Sequence, residues 1–165
     1  MYPSIKLKSG REVSASYHHP WVFSGAIDVL PQALLSGDLV RVEAHDGRIL
    51  GVGSYSSQSM IAVRLWDFTD VEITPAWLKL QLEQAYARRL QAGFGPTTPT
   101  TAYRVVFGEV DGLPGLVLDR YADVWVMQIS TAAMERFRPT LIDVIRELFA
   151  PRAIVERSDI GVRQE

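Results

Sequence analysis

The chain has 165 residues, 47% of them hydrophobic and 22% charged, with a formal net charge of −2 and no cysteine. This length accommodates one ordinary domain or two small ones, and the composition is typical of a globular protein. The lack of cysteine excludes disulfide scaffolds, thiolate metal sites and cysteine nucleophiles. No apolar run is long enough to span a membrane and no signal core follows Met1, so we expect a cytoplasmic protein without a membrane partner.

The first 68 residues predict short strands joined by tight turns. Alternation and β-branched runs predict strands at 5–8, 38–43, 49–53 and 60–66. Asp46-Gly47 is typical of a hairpin turn, and the stretch 18–27 is aromatic and irregular. We therefore expect residues 1–68 to form a small, mostly β barrel. Because the balance of charges is near neutral, any contact with nucleic acid would need a local basic patch.

Residues 72–165 predict an α+β domain with the order helix, three strands, helix, strand. Thr74 and Pro75 are typical of a helix start, and Gly93 is typical of a helix end. The remaining pattern predicts strands over 103–107, 116–119 and 124–129, a helix from about Arg138 to Pro151, and a last strand over 153–157. The fold class predicted for the whole chain is α+β.

Most enzyme motifs are absent from the sequence. Gly51-Val52-Gly53 begins like a dinucleotide-binding fingerprint, but Ser56 stands where the third glycine belongs, so we interpret the motif as a tight turn. His18 and His19 are neighbours that would face opposite sides of a strand, and His45 lies in a turn. We therefore expect no metal site.

Two segments are unusual for plain connections. His19-Pro20-Trp21-Val22-Phe23-Ser24-Gly25 places two large aromatic residues close together, either to plug the open end of the barrel or to form a platform beside a bound nucleotide. Gly108-Glu109-Val110-Asp111-Gly112-Leu113-Pro114-Gly115 is either an elaborate turn between strands or a functional loop.

A family resemblance emerges from the order of four motifs, at 19–27, 108–121, 156–159 and 162–163. The series resembles the N-terminal part of the bacterial ribosomal RNA large-subunit methyltransferases that modify cytosine at its 5 position, and it covers essentially the whole chain. The resemblance implies a PUA domain over 1–68 and a central α+β domain over 72–165. It also implies a following Rossmann-like domain that binds S-adenosylmethionine, which we expect to be missing from this chain.

The resemblance implies that the chain is the RNA-docking portion of a class I S-adenosylmethionine-dependent methyltransferase of 23S rRNA. In that family a cysteine thiolate attacks C6 of cytosine and activates C5 toward the methyl group. Because this chain lacks cysteine and a cofactor motif, we expect no catalytic residue and no cofactor in it, with S-adenosylmethionine bound by the parent enzyme. Two alternatives stay open: a stand-alone RNA-binding PUA protein and a dimerisation module without enzyme activity.

Two groups of candidate site residues follow. The first is expected to contact large-subunit ribosomal RNA and comprises Lys6, Lys8, Arg11, His19, Trp21 and Arg64. The second is expected to face the substrate cleft and the next domain and comprises Glu109, Asp111, Arg157, Asp159 and Arg163, with an Asp111–Arg157 ion pair as the structural alternative. Since exposed ion pairs contribute only ~0–1 kcal/mol, Asp111→Asn is expected to leave the melting temperature nearly unchanged. Whether the protein forms a homodimer stays open.

Overall fold

The computed structural model describes residues 2–158, which divide after Glu72 into two compact units. The first unit holds most of the strands and the second combines helices with a sheet, so the predicted α+β class is confirmed. Among the described residues, no helix is long and apolar enough to cross a membrane.

The first unit is built on one six-stranded sheet with the order β2-β6-β5-β4-β1-β3. Its elements are β1 (Ser4–Leu7), α1 (Val13–Ser16), β2 (Trp21–Phe23), β3 (Ile27–Val29), β4 (Leu39–Glu43), β5 (Ile49–Tyr55) and β6 (Ile61–Asp67). Strands β1 and β4 are parallel and the other pairs are antiparallel. The alternation that predicts β1 and β4 is reproduced in their burial, and it directs one face of each into a core that includes Ile5, Leu7, Val40, Val42, Val63 and Leu65.

The segment 18–27 is more ordered than its sequence suggests. It contains β2, a 3₁₀ turn over Ser24–Ala26 and the start of β3. Each strand has only three residues, which is too short for alternation to be recognised in the sequence. Both strands exist through long-range pairing, β2 with β6 and β3 with β1.

The interpretation of Gly51-Val52-Gly53 as a tight turn is wrong, because these residues lie inside β5. A Cβ at Gly51 would lie 2.1 Å from the carbonyl oxygen of Asp67, and one at Gly53 would lie 2.3 Å from that of Arg64. The pairing of β5 with β6 also shifts register between Val52 and Gly53. Glycine is therefore required by the close approach of β6 rather than by a turn.

The second unit packs two long helices with a four-stranded sheet of order β10-β9-β8-β7. Its elements are α2 (Pro75–Gln91), β7 (Ala102–Phe107), β8 (Leu116–Tyr121), β9 (Val124–Ile129), α3 (Ala132–Arg136), α4 (Arg138–Phe149) and β10 (Ala153–Glu156), with a 3₁₀ helix over Gly108–Asp111. Strands β9 and β10 are parallel and the others are antiparallel. The fully buried side chains include Leu78, Leu82, Leu118, Met127, Leu141 and Ile145.

Local signals place both ends of α2 correctly. The hydroxyl of Thr74 accepts a hydrogen bond from the Trp77 N–H at 3.2 Å, and Pro75 begins α2. Gly93 follows the helix with a φ of 85°. The short helix α3 was not predicted. Strand β8 runs to Tyr121, two residues beyond the predicted strand over 116–119, and Tyr121 pairs with Val124, so only Ala122-Asp123 connect β8 and β9.

Candidate nucleic-acid interface

A pocket of about 370 Å³ lies in the first unit where α1 approaches β2 and the 3₁₀ turn. Its lining residues are Arg11, Ser14, Ala15, Trp21, Val22, Phe23, Gly25 and Ala26. Trp21 is 37% exposed and Phe23 is 46% exposed, whereas Val22 between them is buried. The two aromatic side chains therefore do not plug the barrel, since Val22 is the residue of this strand that enters the core.

The position of the two rings follows from the pairing of β2. Trp21 lies opposite Arg64 and Val22 opposite Val63 of β6. Directly opposed residues of neighbouring strands share one face of the sheet, so Arg64 lies beside Trp21 on the outer face. Because side chains alternate along a strand, Phe23 joins Trp21 on that face.

His19 is held against Trp21. Its Nδ1 accepts a hydrogen bond from the backbone N–H of Trp21 at 3.2 Å, and the two rings meet edge to face with centroids 5.5 Å apart. In the neutral imidazole this bond places the proton on Nε2, which is then available as a donor at the protein surface.

The basic residues of the predicted RNA-binding group differ in their relation to the pocket. Arg11 lines it, and Lys8 Nζ donates to the carbonyl of Gly25, another lining residue, at 3.1 Å. Lys6 lies on β1, opposite Val29 of β3 and Glu43 of β4, and is not among the lining residues. The structure thus brings Lys8, Arg11, His19, Trp21 and Arg64 around one surface, and Lys6 is the exception.

Phe23 is the aromatic pocket residue that the predicted group omitted. Its sequence signal is the spacing of two from Trp21, which places both rings on the same face of any strand. That signal depends on recognising β2, which the sequence pattern does not show.

The second candidate group contains one residue whose environment differs from the expectation. The side chain of Asp111 is 1% exposed and contacts two arginines of α2. Its Oδ1 accepts from Arg88 Nη2 at 3.0 Å and from Arg89 Nη1 at 2.9 Å, and its Oδ2 accepts from Arg89 Nη2 and from the N–H of Phe107 at 2.7 Å. The predicted role of Asp111 on an exposed cleft surface therefore needs correction. The carboxylate is buried, and its hydrogen bonds connect α2 to the end of β7.

The pKa of Asp111 reports this environment. Burial by itself raises the pKa of the carboxyl, but the hydrogen bonds from Arg89, from the Phe107 N–H and from Arg88 together outweigh it and hold the pKa below its usual value. Asp111 is therefore ionised at neutral pH. Sequence reasoning missed Arg88 and Arg89, whose signal was a pair of basic residues in the last turn of α2.

The other members of the second group lie elsewhere or outside the described region. Glu109 is half-buried in the 3₁₀ helix that follows β7, and Arg157 is exposed after β10, at the opposite edge of the sheet. Asp159 and Arg163 lie outside the described residues. Within residues 2–158 no cluster of three or more His, Asp or Glu side chains could hold a metal ion.

The first unit resembles a known class of domain: residues 5–68 match the family model of the PUA-like domain. Over nearly its full length the chain is also similar to proteins named ribosomal RNA large subunit methyltransferase I. It is 43% identical over 162 residues to that of Shewanella amazonensis, covering 98% of this chain and 40% of the relative. It is 36% identical over 166 residues to that of Klebsiella pneumoniae, covering 100% and 41%. The chain thus spans about two fifths of the length of these curated relatives.

Solved structures show the same fold at low sequence identity. A proposed S-adenosylmethionine-dependent methyltransferase from Streptococcus mutans superposes with a TM-score of 0.77 at 17% identity, covering 94% of this chain and 41% of that one. A proposed methyltransferase in complex with SAH gives a TM-score of 0.78 at 17% identity, covering 94% and 40%. The sequence relatives confirm the predicted resemblance to ribosomal RNA large-subunit methyltransferases, and the specificity for C5 of cytosine stays a prediction.

Proposed function

We propose that this chain is the RNA-docking portion of an S-adenosylmethionine-dependent methyltransferase of large-subunit ribosomal RNA, and that it works in the cytoplasm. The observation that carries the proposal is the pocket of the first unit, where Trp21 and Phe23 stand exposed beside Arg11 in the region that matches the PUA-like domain. The names of the full-length relatives supply the substrate class.

The pocket suits an unpaired stretch of RNA. Bases stack on exposed aromatic side chains with little regard for sequence, and cations beside the rings contact the phosphates. Trp21 and Phe23 supply the rings, while Arg11, Lys8 and Arg64 supply the positive charge. Because the whole chain has a net charge of −2, this local cluster rather than the overall charge must attract the RNA.

The first-unit pocket is not proposed as the site of S-adenosylmethionine. The residues lining the first-unit pocket include no carboxylate that could bind ribose hydroxyls, and the glycines of β5 lie in a strand rather than in a loop before a helix. In this proposal the cofactor belongs to a part of the parent enzyme outside residues 2–158. In this proposal the methylated atom is C5 of cytosine. The cysteine that attacks C6 belongs to another part of the parent, since this chain has none.

Titration of a fluorescently labelled ribosomal RNA hairpin with the chain tests the docking role. If about three phosphates are contacted, the logarithm of the affinity falls with the logarithm of salt concentration at a slope of roughly −2 to −3. Trp21→Ala should weaken binding by about 5- to 150-fold, the equivalent of ~1–3 kcal/mol for one lost stacking contact. Arg11→Gln should reduce the slope by about one.

Arg48→Gln is the matched control, because Arg48 is 61% exposed and is paired with Asp46 in the β4–β5 turn. It should bind RNA like the unaltered chain. Absence of binding at low salt, or an equal loss in Arg48→Gln and Arg11→Gln, would contradict the docking role. The chemistry is tested separately in the parent enzyme by mass spectrometry of the product RNA, where methylation at an atom other than C5 of cytosine would overturn that part of the proposal.

A further inference from the structure

A second pocket of about 270 Å³ lies wholly within the second unit, between the end of α2, the β8–β9 turn and the end of α4. Neither candidate group of site residues includes any of its lining residues. Its walls are largely apolar, from Pro96, Leu148, Phe149 and Pro151, and its polar groups come from Tyr86, Arg120 and Asp123. A volume slightly below the ~300–1,000 Å³ of sites for drug-sized ligands suits one planar ring rather than an extended cofactor.

Aromatic rings form the inner wall of this second pocket. Phe149 stacks on the buried Trp125 with centroids 4.2 Å apart and planes at 15°. Tyr86 meets Phe149 edge to face at 5.0 Å. Stacking on Trp125 and packing against Tyr86 hold Phe149 in place, so a ligand finds a rigid apolar surface without having to order it.

Arg120 is held at the same pocket with part of its hydrogen-bonding capacity unused. Its Nη1 donates to the Tyr103 hydroxyl at 2.9 Å and to the Tyr86 hydroxyl at 3.5 Å, and its Nε donates to the carbonyl of Ala122 at 2.7 Å. Among residues 2–158 these bonds leave Nη2 without a partner. A guanidinium fixed by three bonds with one nitrogen remaining is suited to bind a phosphate oxygen.

The backbone around the pocket is strained at two lining residues. Ala122 has a φ of 55° and Ala150 a φ of 41°, a region that side-chain-bearing residues rarely adopt and that glycine adopts at no steric cost. Each value has a local cause, because Ala150 is the left-handed C-cap of α4 and Ala122 lies in the two-residue turn closed by Tyr121 and Val124. The two alanines therefore bring the β8–β9 turn and the end of α4 to the same pocket.

We propose that this second pocket is an additional RNA contact that takes one unpaired nucleotide, with the base against Phe149 and the 5′-phosphate at Arg120. The carboxylate of Asp123, which lines the pocket and accepts from Arg152 at 2.9 Å, offers an acceptor for a base amino group. The inference rests on the proposed function for the kind of polymer. Its site lies in the other unit, so the two can fail independently.

The experiment uses the full ¹⁵N-labelled chain and follows the amide and indole N–H signals during titration with each of the four nucleoside 5′-monophosphates. The matching nucleosides and inorganic phosphate are titrated in parallel. The inference expects saturable shifts at Trp125, Ala122 and Ala150, with at least one monophosphate binding about tenfold more tightly than its nucleoside. Inorganic phosphate alone should leave the Trp125 indole unshifted.

Two variants and a control complete the test. Arg120→Gln should reduce monophosphate affinity to that of the nucleoside, whereas Arg104→Gln should not, because Arg104 pairs with Asp119 on the opposite face of the sheet. Phe149→Leu keeps the apolar contact but removes the ring, and should weaken nucleoside and monophosphate alike. Thermal melting by circular dichroism verifies that each variant is folded.

Several outcomes would overturn the inference. Equal affinity in folded Arg120→Gln, equal affinity for nucleoside and monophosphate, or a response to inorganic phosphate as strong as to the monophosphate would each do so. If an oligoribonucleotide shifts only Trp21 and its neighbours, the docking role of the first unit stands and the second pocket is excluded as an RNA contact. If it shifts only Trp125 and its neighbours, the second pocket stands as an RNA contact and the docking role of the first unit is excluded.

Discussion

Replacing Asp111 by asparagine tests whether the segment 108–115 is held by a buried charge. The substitution keeps the shape of the side chain and one acceptor oxygen but removes the negative charge that faces two guanidinium groups. It also places an amide group, which donates hydrogen bonds, where arginine or backbone N–H groups already donate. The original expectation of a negligible effect assumed an exposed carboxylate, whereas this side chain is 1% exposed.

The expected loss of stability follows from how deeply Asp111, Arg88 and Arg89 are buried. Removing one member of a buried ion pair costs about 3–5 kcal/mol, because the other charge is left uncompensated. Here Arg89 is 19% exposed and Arg88 is 44% exposed, so water can solvate part of the released charge. We therefore expect a loss of about 3 kcal/mol, which for a chain of this length lowers the melting temperature by roughly 6–12 °C.

The measurement is thermal and urea unfolding of the full chain, with Asp123→Asn as the matched control. Asp123 forms a pair of the same kind with Arg152, at 2.9 Å, but the two side chains are 59% and 70% exposed. An exposed pair contributes ~0–1 kcal/mol, so this variant should melt within about 4 °C of the unaltered chain. If Asp111→Asn melts no lower than Asp123→Asn, the buried tie does not stabilise the fold and the reasoning fails.

Two further results are expected from the same unfolding measurements. The stabilisation from Asp111 should be complete above the ordinary aspartate pKa of about 3.9 and be lost as the pH falls through the lowered pKa of the folded state. The difference in unfolding free energy between Asp111→Asn and the unaltered chain should therefore shrink in acid. A difference that grows in acid would contradict this. Gly53→Ala should destabilise the first unit strongly, since its Cβ would lie 2.3 Å from a backbone oxygen, whereas Gly25→Ala, with nothing within 4 Å, should change the melting temperature little.

The parts of the fold that the sequence predicts are those specified by neighbouring residues. The start of α2 depends on one hydroxyl and one proline, Thr74 and Pro75, and both act within a single helical turn. Strands β2 and β3 could not be predicted in this way. They exist because Val22 meets Val63 and Leu7 meets Ile27 across the sheet, and such long-range pairing leaves no local pattern.

The two candidate sites show the same division between local and long-range information. Trp21 was predicted because an aromatic pair in an irregular stretch is visible in the sequence, but its neighbour Arg64 is brought to it only by strand pairing. Asp111 was recognised as unusual. That its side chain is buried against Arg88 and Arg89 could not be predicted, because these arginines lie more than 20 positions earlier in the chain. The sequence thus indicated which residues are unusual more readily than it indicated which other residues they contact.

The burial of Asp111 also changes how the predicted interdomain surface should be tested. Loss of methylation in an Asp111→Asn parent enzyme would not distinguish a cleft role from unfolding, since the substitution is expected to destabilise the chain. Arg157 is exposed and its backbone N–H is bound to the Met127 carbonyl, so Arg157→Gln removes the charge without disturbing that backbone contact.

If Arg157 faces the substrate cleft, the parent enzyme carrying Arg157→Gln should methylate RNA more slowly. This chain should melt within about 4 °C of the unaltered one, since a contact of an exposed charge contributes only ~0–1 kcal/mol. Arg146→Gln is the control, because Arg146 is 67% exposed on α4 and its contact to Asp143 is 3.9 Å long. Equal rates in the two variants would remove Arg157 from the predicted cleft and leave it as surface. A slower rate in Arg157→Gln alone would support a functional role for the exposed Arg157. The buried carboxylate of Asp111, which holds α2 and β7 together, would keep its structural role.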